Sequence, residues 1–210
     1  MDASLVSVLV IGFLLGIKHA IEPDHVIAVS TIASKTRSLW KSSLAGVYWG
    51  IGHTTTLFLI GMLLFLFHTT ITDTWAMSLE MLVGFMLVFL GVKTFLTKTA
   101  NKELKGNRTY LQSGMIGFVH GLAGSAAMVL LTMGTVETLW QGAIYILVFG
   151  VGTCVGMLGF TTILGIPFVV TRKQMKLNHR LTQLTGVLSV GFGCYYIYRI
   201  GVTDGLFSFL

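Results

Sequence analysis

Six long apolar runs, Leu5–Ser34, Leu44–Phe67, Met77–Leu96, Leu111–Met133, Leu139–Val170 and Leu181–Ile200, limit this chain to one kind of solvent. Each is long enough to cross about 30 Å of hydrocarbon as a helix. The bilayer offers no water to backbone N–H and C=O groups, so each run must satisfy its own hydrogen bonds, which predicts helices. Composition agrees, with 54% hydrophobic residues, 10% charged and a mean hydropathy of +0.82. The expected fold is all-α: a polytopic membrane protein of about six transmembrane helices forming a single transmembrane domain over 1–210. The first and fifth runs, at about 30 residues or about 45 Å, must tilt, break or protrude. The N-terminal MDASLVSVLV has no positive leader, so the first helix is expected to be retained.

The net charge of +6 would suggest nucleic acid in a soluble protein, but here the basic residues fall between the apolar runs. Lys35, Arg37 and Lys41 follow the first run, Lys98, Lys102, Lys105 and Arg108 the third, and Arg172, Lys173, Lys176 and Arg180 the fifth. The connections His68–Ala76 and Gly134–Thr138 carry no Lys or Arg, only Asp73 and Glu137. The positive-inside rule then puts the basic loops in the cytoplasm and both termini outside, in a multi-pass protein of the cell membrane. Cys154 and Cys194 lie in apolar runs without metal or redox spacing, which excludes a disulfide framework.

The two halves resemble each other. GIKHAI at Gly16–Ile21 matches GFVHGL at Gly117–Leu122 at an offset of 101. Trp40 and Gly50–Gly52 match Trp140 and Gly150–Gly152 at 100, and Gly84 and Gly91 match Gly186 and Gly193 at 102. Repeats of three spans, over about 5–97 and 111–200, insert upside down relative to one another. That is the inverted-repeat plan of secondary transporters, with substrate expected at the midplane.

Chemistry concentrates in Lys18-His19-Ala20-Ile21-Glu22-Pro23-Asp24-His25, where five ionisable groups in eight residues lie inside an apolar run. Such groups are costly in a membrane unless they face a partner, water or an ion. A regular helix leaves His19 and His25 about 120° apart. Pro23 changes this, because it lacks the N–H that would bond the His19 carbonyl and its ring pushes that carbonyl away. A kink or unwound stretch lets both imidazoles and the Asp24 carboxylate converge, with the His19 carbonyl released. The alternative is a proline kink whose charges pair, Lys18 with Glu22 at i,i+4. Imidazole plus carboxylate without thiolate suits Ni²⁺, Co²⁺ or Zn²⁺ better than Cu⁺ or Ca²⁺.

The pattern H-x4-D-H in an intramembrane helix, preceded by Lys18 and with Ala20 after its first His, resembles the signature of the nickel/cobalt transporter superfamily. Gly52-His53-Thr54 is similar to the family's Gly-His-Ser/Thr in the next span. Size and span count look most like the short urease-accessory branch of nickel permeases. Longer members carry an acidic, threonine-rich motif in the second half, whereas Gly121–Met128 here has no acid. The resemblance implies a divalent metal ion, nickel or cobalt, as transported substrate, with no permanently bound cofactor, and uptake supplying a nickel enzyme such as urease.

His53 reads as ligand or gate, or as a hydrogen-bonded packing residue; its repeat counterpart is Thr153. His120 is the counterpart of His19, and Ser125 of Asp24. The hydroxyls of Ser125 and Thr54–Thr56 offer oxygen to a hydrated ion, or else bond their own i−4 carbonyls. The metal set is therefore His19, Asp24, His25, His53 and His120, with Lys18, Glu22, Pro23, Thr54 and Ser125 as pathway or support. Met115, Met128, Met133 and Met157 read as lipid-facing filler. Gly12/Gly16, Gly46/Gly50, Gly117/Gly121 and Gly152/Gly156 read as close-packing faces. Cys154 and Cys194 read as small core residues, and His68 and His179 as solvated residues in connections.

No G-x-x-x-x-G-K-[ST] loop is present, so a secondary carrier leads, with a separate ATPase subunit left open. An intramembrane metalloenzyme or protease is the alternative, although H-E-x-x-H is absent. A purely structural assembly protein leaves the midspan charges unexplained. The partners implied are the metal ion and the bilayer, not nucleic acid. Neither a homo-oligomer nor a metallochaperone partner is legible.

Overall fold

The computed structural model describes residues 3–36, 38–67, 69, 71–97, 106–136 and 138–208, with the side chains of 3, 4, 106 and 125–135 outside the description. Its α-helices are α1 (Ala3–His19), α2 (Pro23–Ala33), α3 (Leu39–Leu66), α4 (Asp73–Phe95), α5 (Gly106–Thr135), α6 (Leu139–Val170) and α7 (Met175–Tyr198). No strand occurs among the described residues.

The first apolar run breaks where Pro23 stands. Pro23 is the first residue of α2, Glu22 before it is extended at φ −63° and ψ 146°, and α1 and α2 meet at a bend of 57°. The expected release of the His19 carbonyl does not occur. That carbonyl accepts from the Glu22 N–H at 3.1 Å, and the Lys18 carbonyl from the Ile21 N–H at 3.1 Å, so a turn closes the end of α1. The fifth run, expected to tilt, break or protrude, is an unbroken helix of 32 residues. Thr138 caps its start in a capping box with Gln141, and Pro167 stands only in its last turn.

Among the described residues three helices, α3, α4 and α6, are long and apolar enough to cross a membrane, and the bent α1–α2 pair passes the same test as a broken span or a re-entrant loop. Helices α5 and α7, with 30 and 24 residues, reach about 45 and 36 Å but carry more polar residues. The chain is thus an all-helical, multi-pass membrane protein. Large apolar side chains face outward along these helices, with Trp40 and Trp140 among the most exposed.

Helix α3 sits between α5 and α6, α1 packs on α6, and α4 packs on α7. The contacts are reciprocal at the repeat offset. A Cβ on Gly16 would run into the Phe149 carbonyl, and one on Gly117 into the Trp49 carbonyl. Gly52 and Gly152 likewise press on the carbonyls of Gly114 and Phe13. Such close approach lets hydroxyls bond across helices: Ser113 to the Ala45 carbonyl at 2.6 Å and Ser189 to the Leu87 carbonyl at 2.8 Å.

Several smaller expectations change. Met157 is buried rather than lipid-facing, while Met115 is exposed as expected. Cys194 is exposed, whereas Cys154 is half-buried. His179 belongs to α7 rather than to a connection. His68, Lys98, Lys102, Lys105 and Glu137, and the side chains of Met128 and Met133, lie outside the described residues.

Candidate metal centre

The break between α1 and α2 determines what the site can be. The last turn of α1 carries Lys18 and His19, and the first turn of α2 carries Asp24 and His25. His53 enters from α3 and His120 from α5. His25, His53 and His120 are fully buried, and His19 and Asp24 nearly so.

The donor atoms converge in two overlapping groups. His19, His25 and His53 each offer one atom within 4.8 Å of the others, and so do Asp24, His25 and His120. The Nε2 atoms of His19 and His53 face each other at 3.2 Å. Asp24 bridges its neighbours: Oδ1 lies 3.0 Å from His25 Nδ1 and Oδ2 lies 2.9 Å from His120 Nε2. Oδ1 also accepts from the His25 backbone N–H at 3.0 Å, which fixes the carboxylate. His25 Nε2, His53 Nδ1 and His120 Nδ1 are buried without a hydrogen-bond partner. Buried polar atoms are rarely left unpaired, and each orphan costs about 1–3 kcal/mol. Three such nitrogens on neighbouring rings are lone pairs or N–H groups that a ligand in the cluster could satisfy.

Glu22 has a different role from the one its spacing suggested. Its Oε2 lies 2.9 Å from His19 Nδ1, so it pairs with His19 and not with Lys18 as the alternative of a charge-paired kink had it. A proton on Nδ1 donated to Glu22 leaves the Nε2 lone pair of His19 directed at His53, the orienting bond typical behind metal-ligating histidines.

A cavity of about 360 Å³ opens beside the cluster, lined by Lys18, His19, Glu22, Asp24, His25 and His120, and on its far wall by Glu80 of α4 and Tyr196 of α7. Thr54 does not join it. Its hydroxyl donates to the Gly50 carbonyl at 2.7 Å, and its methyl packs on Gly150 toward α6, the i−4 alternative. Thr56 also turns to backbone, donating to the Phe118 carbonyl at 2.8 Å. The Ser125 side chain lies outside the described residues. Sequence reasoning missed Glu80, Tyr196 and Trp49. Trp49 stacks on His53 with ring centroids 4.9 Å apart at 9°, and meets His25 and His120 edge-on at 4.7 and 5.2 Å.

An all-helical membrane protein with four imidazoles and a carboxylate buried at a broken helix belongs with proteins that bind and move borderline metal ions. The comparisons narrow this. Residues 5–96, which hold His19, Asp24, His25 and His53, match the model of the high-affinity nickel-transport protein family. The urease accessory protein UreH of Bacillus sp. (strain TB-90) is 50% identical, over 99% of this chain and 97% of its own. The chain belongs to this nickel-transport family, and is a transport protein rather than an enzyme.

Two more distant relatives are each 25% identical. The chloroplast protein FOR GROWTH AND FERTILITY 2 of Arabidopsis thaliana matches over 87% of this chain and 54% of its own. A candidate nickel/cobalt efflux system of Methanocaldococcus jannaschii matches over 89% of this chain and 90% of its own. Residues 88–195 also match a model described as the cytochrome c biogenesis protein transmembrane region, so the second half carries the pattern of that membrane region too. No solved structure matches significantly.

Proposed function

We propose that the chain takes Ni²⁺, with Co²⁺ as the nearest competitor, across the cell membrane as a secondary carrier, supplying a nickel enzyme such as urease. His19, Asp24, His25, His53 and His120 act as transit ligands. The observation that carries this is the convergence of donors from α1, α2, α3 and α5 into two groups that share His25. Neutral imidazole and ionised carboxylate form a donor set of moderate softness, suited to Ni²⁺ and Co²⁺. Two groups sharing one residue let a single ion exchange ligands stepwise instead of resting in a closed cage. Lys18 and Glu22 stand at the cavity mouth, and Glu22 is half exposed there.

The same proposal takes the molecule as six spans in two inverted repeats, with both termini outside. The pairing of α1 with α6 and of α3 with α5 supports it, because these are the contacts a two-fold axis in the membrane plane exchanges. The glycine contacts Gly16–Phe149 and Gly117–Trp49 support it in the same way.

Uptake of radioactive nickel into proteoliposomes tests the function. The wild type should accumulate metal, and His25→Ala, which removes the residue common to both groups, should not, although it still inserts. Nickel accumulation by His25→Ala at the wild-type rate would remove the cluster from the pathway.

A further inference from the structure

The cavity reaches the histidines from the side of Lys18, Glu22 and Glu80. On their other side lies an apolar layer in which Trp49 packs with Val29, Ile32, Leu90 and Ile116. The register is regular: Val29, Trp49 and Ile116 each stand four residues, one helical turn, from His25, His53 and His120. Beyond that layer is a small polar recess lined by Thr31, Lys35, Thr109 and Gln112, and its walls include Ile32 and Leu90 of the same apolar layer. Cavity, imidazoles, apolar layer and recess thus follow one another along the helices.

Trp49 is the piece of this layer that touches the ligands. It is completely buried, and its ring contacts His25, His53 and His120, which come from three helices. Its indole N–H has no hydrogen-bond partner, so this packing leaves a donor unsatisfied that another rotamer or a water could satisfy. A cation with any water left on it does not pass a packed apolar constriction, the way hydrophobic gates close channels. An ion held among these imidazoles acts on three rings that touch the indole.

We propose that Trp49 is the plug of the transport pathway, closing the route from the histidine layer to the Lys35 recess and released when metal binding reorients the imidazoles stacked on it. This rests on the reading that the cluster lies on the metal's route. Trp49 here is a positioning residue and takes no part as a ligand.

The test combines flux with accessibility. Proteoliposomes loaded with Ni²⁺ should lose it about tenfold faster with Trp49→Ala than with wild type, while Trp49→Phe, which keeps the stack, retains it. Equal retention by a Trp49→Ala protein that still binds Ni²⁺ overturns the plug. Should Trp49→Ala fail to insert, single cysteines decide in a Cys154→Ser, Cys194→Ser background that keeps Trp49. Ala123→Cys in the cavity and Gln112→Cys in the recess should react with a membrane-impermeant thiol reagent from opposite faces. Reaction of both from the same face overturns the proposal. His25→Ala assayed in parallel separates the readings: unimpaired nickel uptake there defeats the transit site itself, whatever the Trp49 result.

Discussion

The two halves of the molecule share a frame and differ in chemistry at corresponding places. In the first half the frame is cut at Pro23, and the cut exposes His19 above it and Asp24 and His25 below. In the second half the positions of Pro23 and Asp24 hold Gly124 and Ser125, and α5 runs unbroken for 30 residues, with His120 its one member of the cluster among the described side chains. The first half therefore supplies His19, Asp24, His25 and His53, and His120 reaches them from α5. A helix break and a concentration of donors go together, because a straight helix cannot turn neighbours at this spacing toward one centre.

The largest effect should come from removing what the first half has and the second lacks. Asp24→Ala takes away the carboxylate that, alone among the described residues, touches two cluster histidines, leaving His25 Nδ1 and His120 Nε2 without it. Nickel affinity measured by equilibrium dialysis should fall at least about 100-fold. Native affinity would mean that the halves do not differ in the way described. His120→Ala, which removes the second half's only histidine in the cluster, should cost about 10-fold, since the group of His19, His25 and His53 stays intact.

Pro23→Ala probes the break itself. Residue 23 regains an N–H that competes with Glu22 for the His19 carbonyl, and a continuous helix would swing Asp24 and His25 away from His19. Affinity should drop about fivefold while insertion holds, since Pro23 is the first residue of α2 and its replacement takes no hydrogen bond from that helix. A Pro23→Ala protein with native affinity would show that packing of α2 on α6 and α7 maintains the bend. The smallest effect belongs to Thr54→Val, whose hydroxyl donates to the Gly50 carbonyl of its own helix and also meets Cys154 of α6. Uptake should stay within about twofold of wild type, and a larger loss would put α3's hydroxyl back on the ion's path.

That His19, Asp24 and His25 would lie close together was legible, because H-x4-D-H around a proline inside an apolar run has few physical explanations. The repeat offset led to His120, which has no motif of its own. Trp49, Glu80 and Tyr196 were out of reach: a Trp or a Glu in a helix signals nothing until another helix places it, and α4 and α7 come to the cavity only through tertiary packing. Helical spacing offered Glu22 as a partner for Lys18 only under the alternative of a charge-paired kink, and the turn after His19 removes that spacing and brings Glu22 to the imidazole. Thr54 followed a motif whose histidine faces the site while the next residue faces α6.

The central claim is that these imidazoles and the Asp24 carboxylate hold a divalent metal. Nickel X-ray absorption on purified protein, at about pH 7.5 and again near pH 5, tests it most directly. The account predicts roughly one Ni²⁺ per chain in a shell of nitrogen and oxygen with the scattering signature of several imidazoles, lost at the lower pH as protons compete for the same lone pairs. A shell containing sulfur, or nickel bound equally well at both pH values, would contradict it.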